Sequence, residues 1–311
     1  MIELTLARHL TLTAPPQPGR AAHLAAASGL VASDAALYVV ADDELVLGVF
    51  PLASDTPGHT LQLMDGELPL PTRERKRRKA DFEALVRLPA FGAFAHGALF
   101  ALGSGSGKDK PRSHGVLLAL DARGAPMPGA RPRRVALDAL HARLRNEFAD
   151  LNLEGAVVSG DEFVLLQRGN KGQAVNATVH YPLTAILDGL ARDDALAGLA
   201  PRAIHLHALG VIDDVPYGFT DAAALPDGSL LFSAVAENTD DSVADGACLA
   251  AAIGILDITA GRFAFERLAA PWKVEGVHGW REGGATRFLA VSDADDPTRA
   301  ASLLRGRFTA S

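Results

Sequence analysis

Ser28, Glu83, Glu154, Asp221 and Glu275 stand at matching points of five similar stretches of the chain. Each leads into a short apolar run, a turn and a second apolar run, as in "LEGAVVSGDEFVLLQRGN" from Leu153 and "TDAAALPDGSLLFSAVAEN" from Thr220. A carboxylate at the mouth of an apolar strand is costly unless something pairs with it. Four carboxylates and a serine brought together could share a hard divalent cation, which offsets the mutual repulsion that raises their pKa values. Ca²⁺ suits such a set, because it takes 6–8 oxygen ligands and accepts carboxylates, hydroxyls and carbonyls together. Zn²⁺ suits it less, since neither His nor Cys occupies the repeated position. The other solution is pairing with arginines across the shared space, for which Arg168 and Arg112 are available.

The elements that could bring these five residues together follow from their spacing. Successive gaps are 55, 71, 67 and 54 residues, and the two ends of the chain make a fifth of about 63. Each gap holds roughly four short strands, the content of one propeller blade. The expected fold is therefore all-β: a single domain over residues 1–311, a five-bladed β-propeller of four-stranded blades, with a six-bladed ring as the rival. Strands near the two ends, "IELTLARHLTL" and "SLLRGRF", could close the ring by pairing. Helical periodicity in "VALDALHARLRNEFA" (135–149) and "LTAILDGLARDDAL" (183–196) predicts one or two short helical insertions.

In a propeller the innermost strands border a central channel, so residues that begin them face one another at one end. A second polar layer is expected where the second strands end, at Asp42, Asp43, Ser104, Ser106, Arg168, Asn170, Glu237, Asn238, Asp293 and Asp295. Such a rim can bind a small anionic ligand. As a hydrolase, the site would use the metal to polarise a phosphoryl oxygen. Arg168, Arg112 and Lys108 would neutralise developing charge, with Ser104 and Asn170 as further substrate contacts. Glu237 or Asp293 would be the base. A lactonase or esterase would instead take His278 or His114 as base. A ligand-binding or scaffolding propeller with structural Ca²⁺ is the non-catalytic alternative.

Other features narrow the field. The net charge of −7 does not favour nucleic acid. The one cysteine, Cys248, allows neither an intramolecular disulfide nor a thiolate cluster. No apolar run approaches a membrane span, and the first residues do not read as a secretory signal, so a cytoplasmic location is expected. "GSGSGKDKPRSHG" (103–115) offers glycines, hydroxyls and cations to an anion but is not a P-loop, since Asp109 follows Lys108. "RERKRRK" (73–79) reads as a solvated loop between blades, and "HLH" (205–207) as the surface of an outer strand.

With the blade spacing, the stretches "SGLVASDAALYVVADD", "EGAVVSGDEFVLLQRGN", "GFTDAAALPDGSLLFSAVAENTDDS" and "KVEGVHG" resemble the calcium-activated nucleotidases of the apyrase family. The chain is also similar to bacterial phytase-like and esterase-like propellers. The apyrase resemblance implies one Ca²⁺ held by Ser28, Glu83, Glu154, Asp221 and Glu275, a nucleotide above it, and a phosphate contact from Arg168. Asp221 departs from the pattern, which has Ser at the fourth ligand.

Overall fold

The computed structural model describes residues 1–107, 112–192, 196–240, 242 and 246–309. Their twenty-one strands fall into five sheets arranged as a five-bladed propeller, so the six-bladed alternative is set aside. Strand β1 (Thr5–His9) comes first in the chain. Blade one then holds β2 (Ala27–Ala32), β3 (Ala36–Ala41), β4 (Val46–Pro51) and β5 (His59–Gln62). Helix α1 (Thr72–Arg78) leads to blade two, with β6 (Phe82–Leu88), β7 (Ala98–Gly103), β8 (His114–Ala119) and β9 (Arg133–Ala136). After α2 (Asp138–Leu144), blade three comprises β10 (Leu153–Ser159), β11 (Glu162–Gln167), β12 (Asn176–Pro182) and β13 (Ala203–His207). Helix α3 (Leu183–Arg192) lies between its last two strands.

Blade four has five strands rather than four. The two-residue β14 (Val211–Ile212) pairs with the start of β15 (Val215–Ala224), followed by β16 (Leu230–Glu237), β17 (Cys248–Asp257) and β18 (Arg262–Arg267). Blade five holds β19 (Val274–Glu282), β20 (Ala285–Ser292) and β21 (Ser302–Phe308), and β1 is its outermost strand. The antiparallel β1–β21 pair, with Thr5 opposite Arg305 and His9 opposite Ser302, closes the ring.

Alternation along these strands puts apolar side chains on both faces of each sheet, where the neighbouring blade covers them. The core is accordingly five clusters, one at each interface between adjacent blades. The helices thicken one of these: Leu140 and Leu144 of α2 and Ile186 and Leu190 of α3 join the cluster between blades two and three. No helix among the described residues is long and apolar enough to cross a membrane.

One irregularity recurs in all five inner strands. The register of β2, β6, β10, β15 and β19 against the second strand slips at Ser28, Glu83, Glu154, Thr220 and Glu275. Each slip is a β-bulge, an extra residue that bends the strand and re-aims a side chain. The residue after the bulge faces the next blade, and there the strands come very close. A Cβ on Gly29 would lie 2.9 Å from the backbone nitrogen of Leu85, and one on Gly276 would lie 3.1 Å from that of Leu30. Gly29→Ala is therefore expected to push β2 off β6 and cost about 1–3 kcal/mol, as overpacking of a tight contact does. Urea unfolding measures it, and an unchanged midpoint would show that the inner strands do not need this close approach.

Candidate functional site at the channel mouth

The five bulges mark one end of the channel. Around it, side chains arrive in layers that the strand geometry dictates. The lowest layer is the bulge residues themselves. Two residues before the bulges of blades two, three and five lie Asp81, Asn152 and Lys273, which also line the mouth. Above them stand the residues that follow the second strands. The backbone N–H groups of Asp42, Ser104, Arg168 and Asp293 donate to the carbonyls of Ala26, Asp81, Asn152 and Lys273, at 2.9–3.1 Å. The same bond in four blades puts four second-strand ends over the ring.

Seven carboxylates line the mouth, from Asp42, Asp81, Glu83, Glu154, Glu237, Glu275 and Asp293, against four cations, Lys79, Arg112, Arg168 and Lys273. Arg168 holds the centre. Its guanidinium lies 3.3 Å from Glu154, 2.6 Å from Glu237 and 3.7 Å from Glu275. Lys273 Nζ is within 4.0 Å of Glu237, Glu275, Asp293 and Asp295. On the opposite side Lys79 Nζ pairs with Asp42 and, at 2.7 Å, with Asp81. The space left among these groups is about 80 Å³. That admits a cation with a few waters but not a whole organic substrate.

Burial leaves part of this charge unmet. Neither oxygen of Glu275 receives a hydrogen bond, and burial raises its pKa well above the usual carboxylate range. Glu83 makes no hydrogen bond or ion pair among the described residues, and burial, with Asp81 and Glu154 nearby, raises it strongly as well. Glu154, hydrogen-bonded by Asn152 Nδ2, is also raised by burial. Asp42 and Asp293 are pushed up to about 6 by burial. Asp81 goes the other way, to about 2, because Lys79 and Arg112 outweigh its desolvation. Neither His nor Cys lines the space, so its ligating atoms are oxygens, a set suited to a hard cation. Asp42, Asp81 and Glu83 each bring an oxygen within 4.8 Å of the others, and Lys79 sits among them.

The structure gathers most of the residues expected from sequence. Ser28, Glu83, Glu154, Glu275, Arg112, Arg168, Asn170, Glu237 and Asp293 all line the mouth. Asp221 does not. The bulge of blade four is Thr220, so Asp221 is one residue past the ring and, by the strand's period of two, turns toward blade five. Its Oδ2 accepts from the backbone N–H of Val277 at 2.9 Å, joining β15 to β19 where other blades have Gly or Ala. Thr220 takes the fourth bulge position but is fully buried and does not line the mouth either. Its hydroxyl donates to the Val274 carbonyl at 2.7 Å and so also ties blade four to blade five.

Three further expectations change. His278 is three residues beyond Glu275 along β19, yet it borders a separate hollow with Trp280, Arg87 and Arg305. His114, at the start of β8, is likewise absent from the mouth lining. Ser104 is fully buried and absent from the mouth lining, and its hydroxyl donates to Asp81. With Ser106 and Arg112, which also contact Asp81, it shows that the described part of the 103–115 stretch wraps the protein's own carboxylate. Lys108 lies outside the described residues.

Lys79, Asp81, Asn152 and Lys273 escape the sequence reading. The basic run is not a solvated loop: it forms α1, whose Arg75 is buried against Asp43 and whose C-cap residue is Lys79. The usable signal is the period of two, which aims residues two before a ring position into the same channel. "HLH" also divides, since His207 is buried beside Phe219 while His205 is exposed.

The raised carboxyls predict a pH dependence of stability. A carboxyl whose pKa is raised on folding contributes stability that is present below its unfolded value and lost as pH rises through the folded value. Asp42 and Asp293 open that window, from about 4 to 6, and Glu44, raised to about 7 by burial, extends it. Glu83, Glu154, Asp221 and Glu275 are shifted the same way. His141 and His207, lowered to about 3 and 4 by burial, oppose it, as do His114 and His278, because their stability is lost as pH falls below 6.5. Seven carboxyls outweigh four imidazoles, so the protein in EDTA should melt higher near pH 5 than at pH 7.5. The reverse order would mean that the mouth carboxylates are fully paired.

The model of a family of unknown function, DUF6929, matches residues 23–307. No curated protein matches the chain by sequence. Among solved structures, a mannose phosphorylase from Leishmania mexicana, MPT-4, in complex with a phosphate ion, is 13% identical, with TM-score 0.48, over 99% of this chain and 89% of that one. A hypothetical protein from Leishmania major is 11% identical, with TM-score 0.46, over 98% and 91%. The periplasmic gluconolactonase PpgL of Pseudomonas aeruginosa is 12% identical, with TM-score 0.35, over 92% and 68%.

Proposed function

We propose that this chain, which belongs to the DUF6929 family of unknown function, is a hydrolase that holds Ca²⁺ at its channel mouth and cleaves a phosphate ester or anhydride there. The observation that carries this reading is the unmet charge: seven carboxylates face four cations, and both oxygens of Glu275 lack a hydrogen-bond donor. Ser28, Glu83, Glu154 and Glu275 would hold the ion. Once bound, Ca²⁺ supplies charge neutralisation and polarises a phosphoryl oxygen.

The chain's own groups divide the remaining work. Arg168 orients Glu154, Glu237 and Glu275 and presents its guanidinium to an anion above them. Lys273 and Arg112 add charge for the phosphoryl oxygens. Asp293, at about 6, is suited to accept a proton from water near neutral pH. Glu237 is tied to Arg168 and to the backbone N–H of Gly246 and acts as a positioning group. The organic part of the substrate would lie in an adjoining hollow of about 610 Å³, which shares Lys273 and Asp293 with the mouth and is walled by Trp272.

A second reading has an observation of its own. Arg168 already contacts three of the carboxylates, so arginine and lysine pairing could stabilise a binding or scaffolding propeller without metal or turnover. A lactonase would have to use Asp293, since neither His278 nor His114 lines the mouth.

Thermal melts in EDTA, and then with Ca²⁺, Mg²⁺ or Zn²⁺, separate these readings. At 100 times its Kd an ion adds about 2.7 kcal/mol, a rise of roughly 5 °C at this size. The rise should be selective for Ca²⁺ and vanish in Glu275→Gln. Arg168→Ala should cost about 3–5 kcal/mol in EDTA, since it leaves buried carboxylates unpaired, and Ca²⁺ should recover part of that loss. Asp293→Asn should keep the Ca²⁺ response and lose hydrolysis of 4-nitrophenyl phosphate. No shift with any ion would sink the metal site, whereas a shift without turnover of any phosphate ester would favour the binding propeller.

A further inference from the structure

On the face opposite the mouth the charge pattern reverses. A hollow of about 660 Å³ opens there between blades five, one and two, within the size range of small-molecule sites. Three of its lining residues are arginines, Arg87, Arg123 and Arg305, and one is the carboxylate Asp34. None of the three arginines has a carboxylate within 4.0 Å among the described residues. On a chain whose net charge is −7, these three guanidiniums bring an excess of positive charge to one space.

Local structure explains why the acid nearest in sequence to Arg123, though it feels that arginine's charge, makes no close ion pair with it. Asp121 spends its carboxylate on the turn that carries Arg123, accepting from the backbone N–H groups of Arg123 and Ala125 at 2.9 and 3.0 Å. That turn ends at Gly124, with φ +75°. A Cβ there would come within 2.6 Å of Arg87 Nη2, so the glycine gives the Arg87 side chain its passage. The other wall is aromatic. Trp280 is 39% exposed, and its ring centroid lies 6.4 Å from that of His278. Guanidinium groups recognise carboxylate and phosphate oxygens in a planar, bidentate fashion, and an exposed indole offers a flat apolar face.

We propose that this hollow is a second ligand site, taking a small aromatic oxyanion whose charged group meets Arg87, Arg123 and Arg305 and whose ring lies against Trp280. It is separate from the carboxylate mouth and does not depend on what the mouth does.

The chain has two tryptophans, so Trp272→Phe makes Trp280 the sole indole reporter. Titrating that variant with phenylphosphonate should quench its emission saturably. Arg87→Gln with Arg305→Gln should weaken binding at least about tenfold, the effect of losing charge-assisted hydrogen bonds. Both arginines are exposed, so the melting temperature should hold. Glu275→Gln, on the opposite face, should leave the titration unchanged. Absence of saturable quenching, or equal affinity in the double arginine variant, would overturn the site. Equal competition by inorganic phosphate would overturn the aromatic part of the assignment.

Discussion

Buried charge at the channel mouth is the constraint on which the rest of this molecule turns. Carboxylates arrive there from all five blades, and the protein meets them with Arg168 at the centre, Lys273 on one flank and Lys79 with Arg112 on the other. Removing either partner of such a pair from water is costly, and the cost is recovered only where the geometry brings opposite charges into contact. The irregular parts of the chain serve that requirement. Helix α1 ends where it delivers Lys79 to the mouth. Asp81 keeps a left-handed φ of 59° while Lys79, Arg112 and Ser104 hold its carboxylate.

Much of the fold was legible because a propeller is repetitive. Polar residue, apolar strand, turn and apolar strand recur at intervals that match one blade, and the structure has five blades with insertions at α2 and α3. The extra β14 was not legible, since a two-residue strand carries no periodicity. The site was legible where identity and position coincide, as at Glu83, Glu154 and Glu275. It failed at blade four by a single residue. Thr220 and Asp221 are both polar, and a bulge shifts the alternation of the strand just where the choice between them must be made.

The same limit explains the missed cations. Lys79 and Lys273 come from segments that look like ordinary charged connections in sequence. Their role depends on which carboxylates lie opposite, and several of those come from other blades. Asp42, which pairs with Lys79, is 37 residues away, and Glu237, near Lys273, belongs to a different sheet. His278 shows the converse: three residues from Glu275 along an extended strand is enough to leave the mouth altogether.

Closure of the ring by β1 against β21 bears on how the protein is made. The two strands of that pair are separated by nearly the whole sequence, so a chain emerging from the ribosome can build blades one to four while the fifth still lacks its inner strands. Contacts of such long sequence separation form slowly. Until Ser302–Phe308 has been synthesised, β1 has no strand to join, and the flanks of blades one and four that will face blade five stay uncovered. During that interval the uncovered apolar flanks are the surface of the nascent chain most open to aggregation.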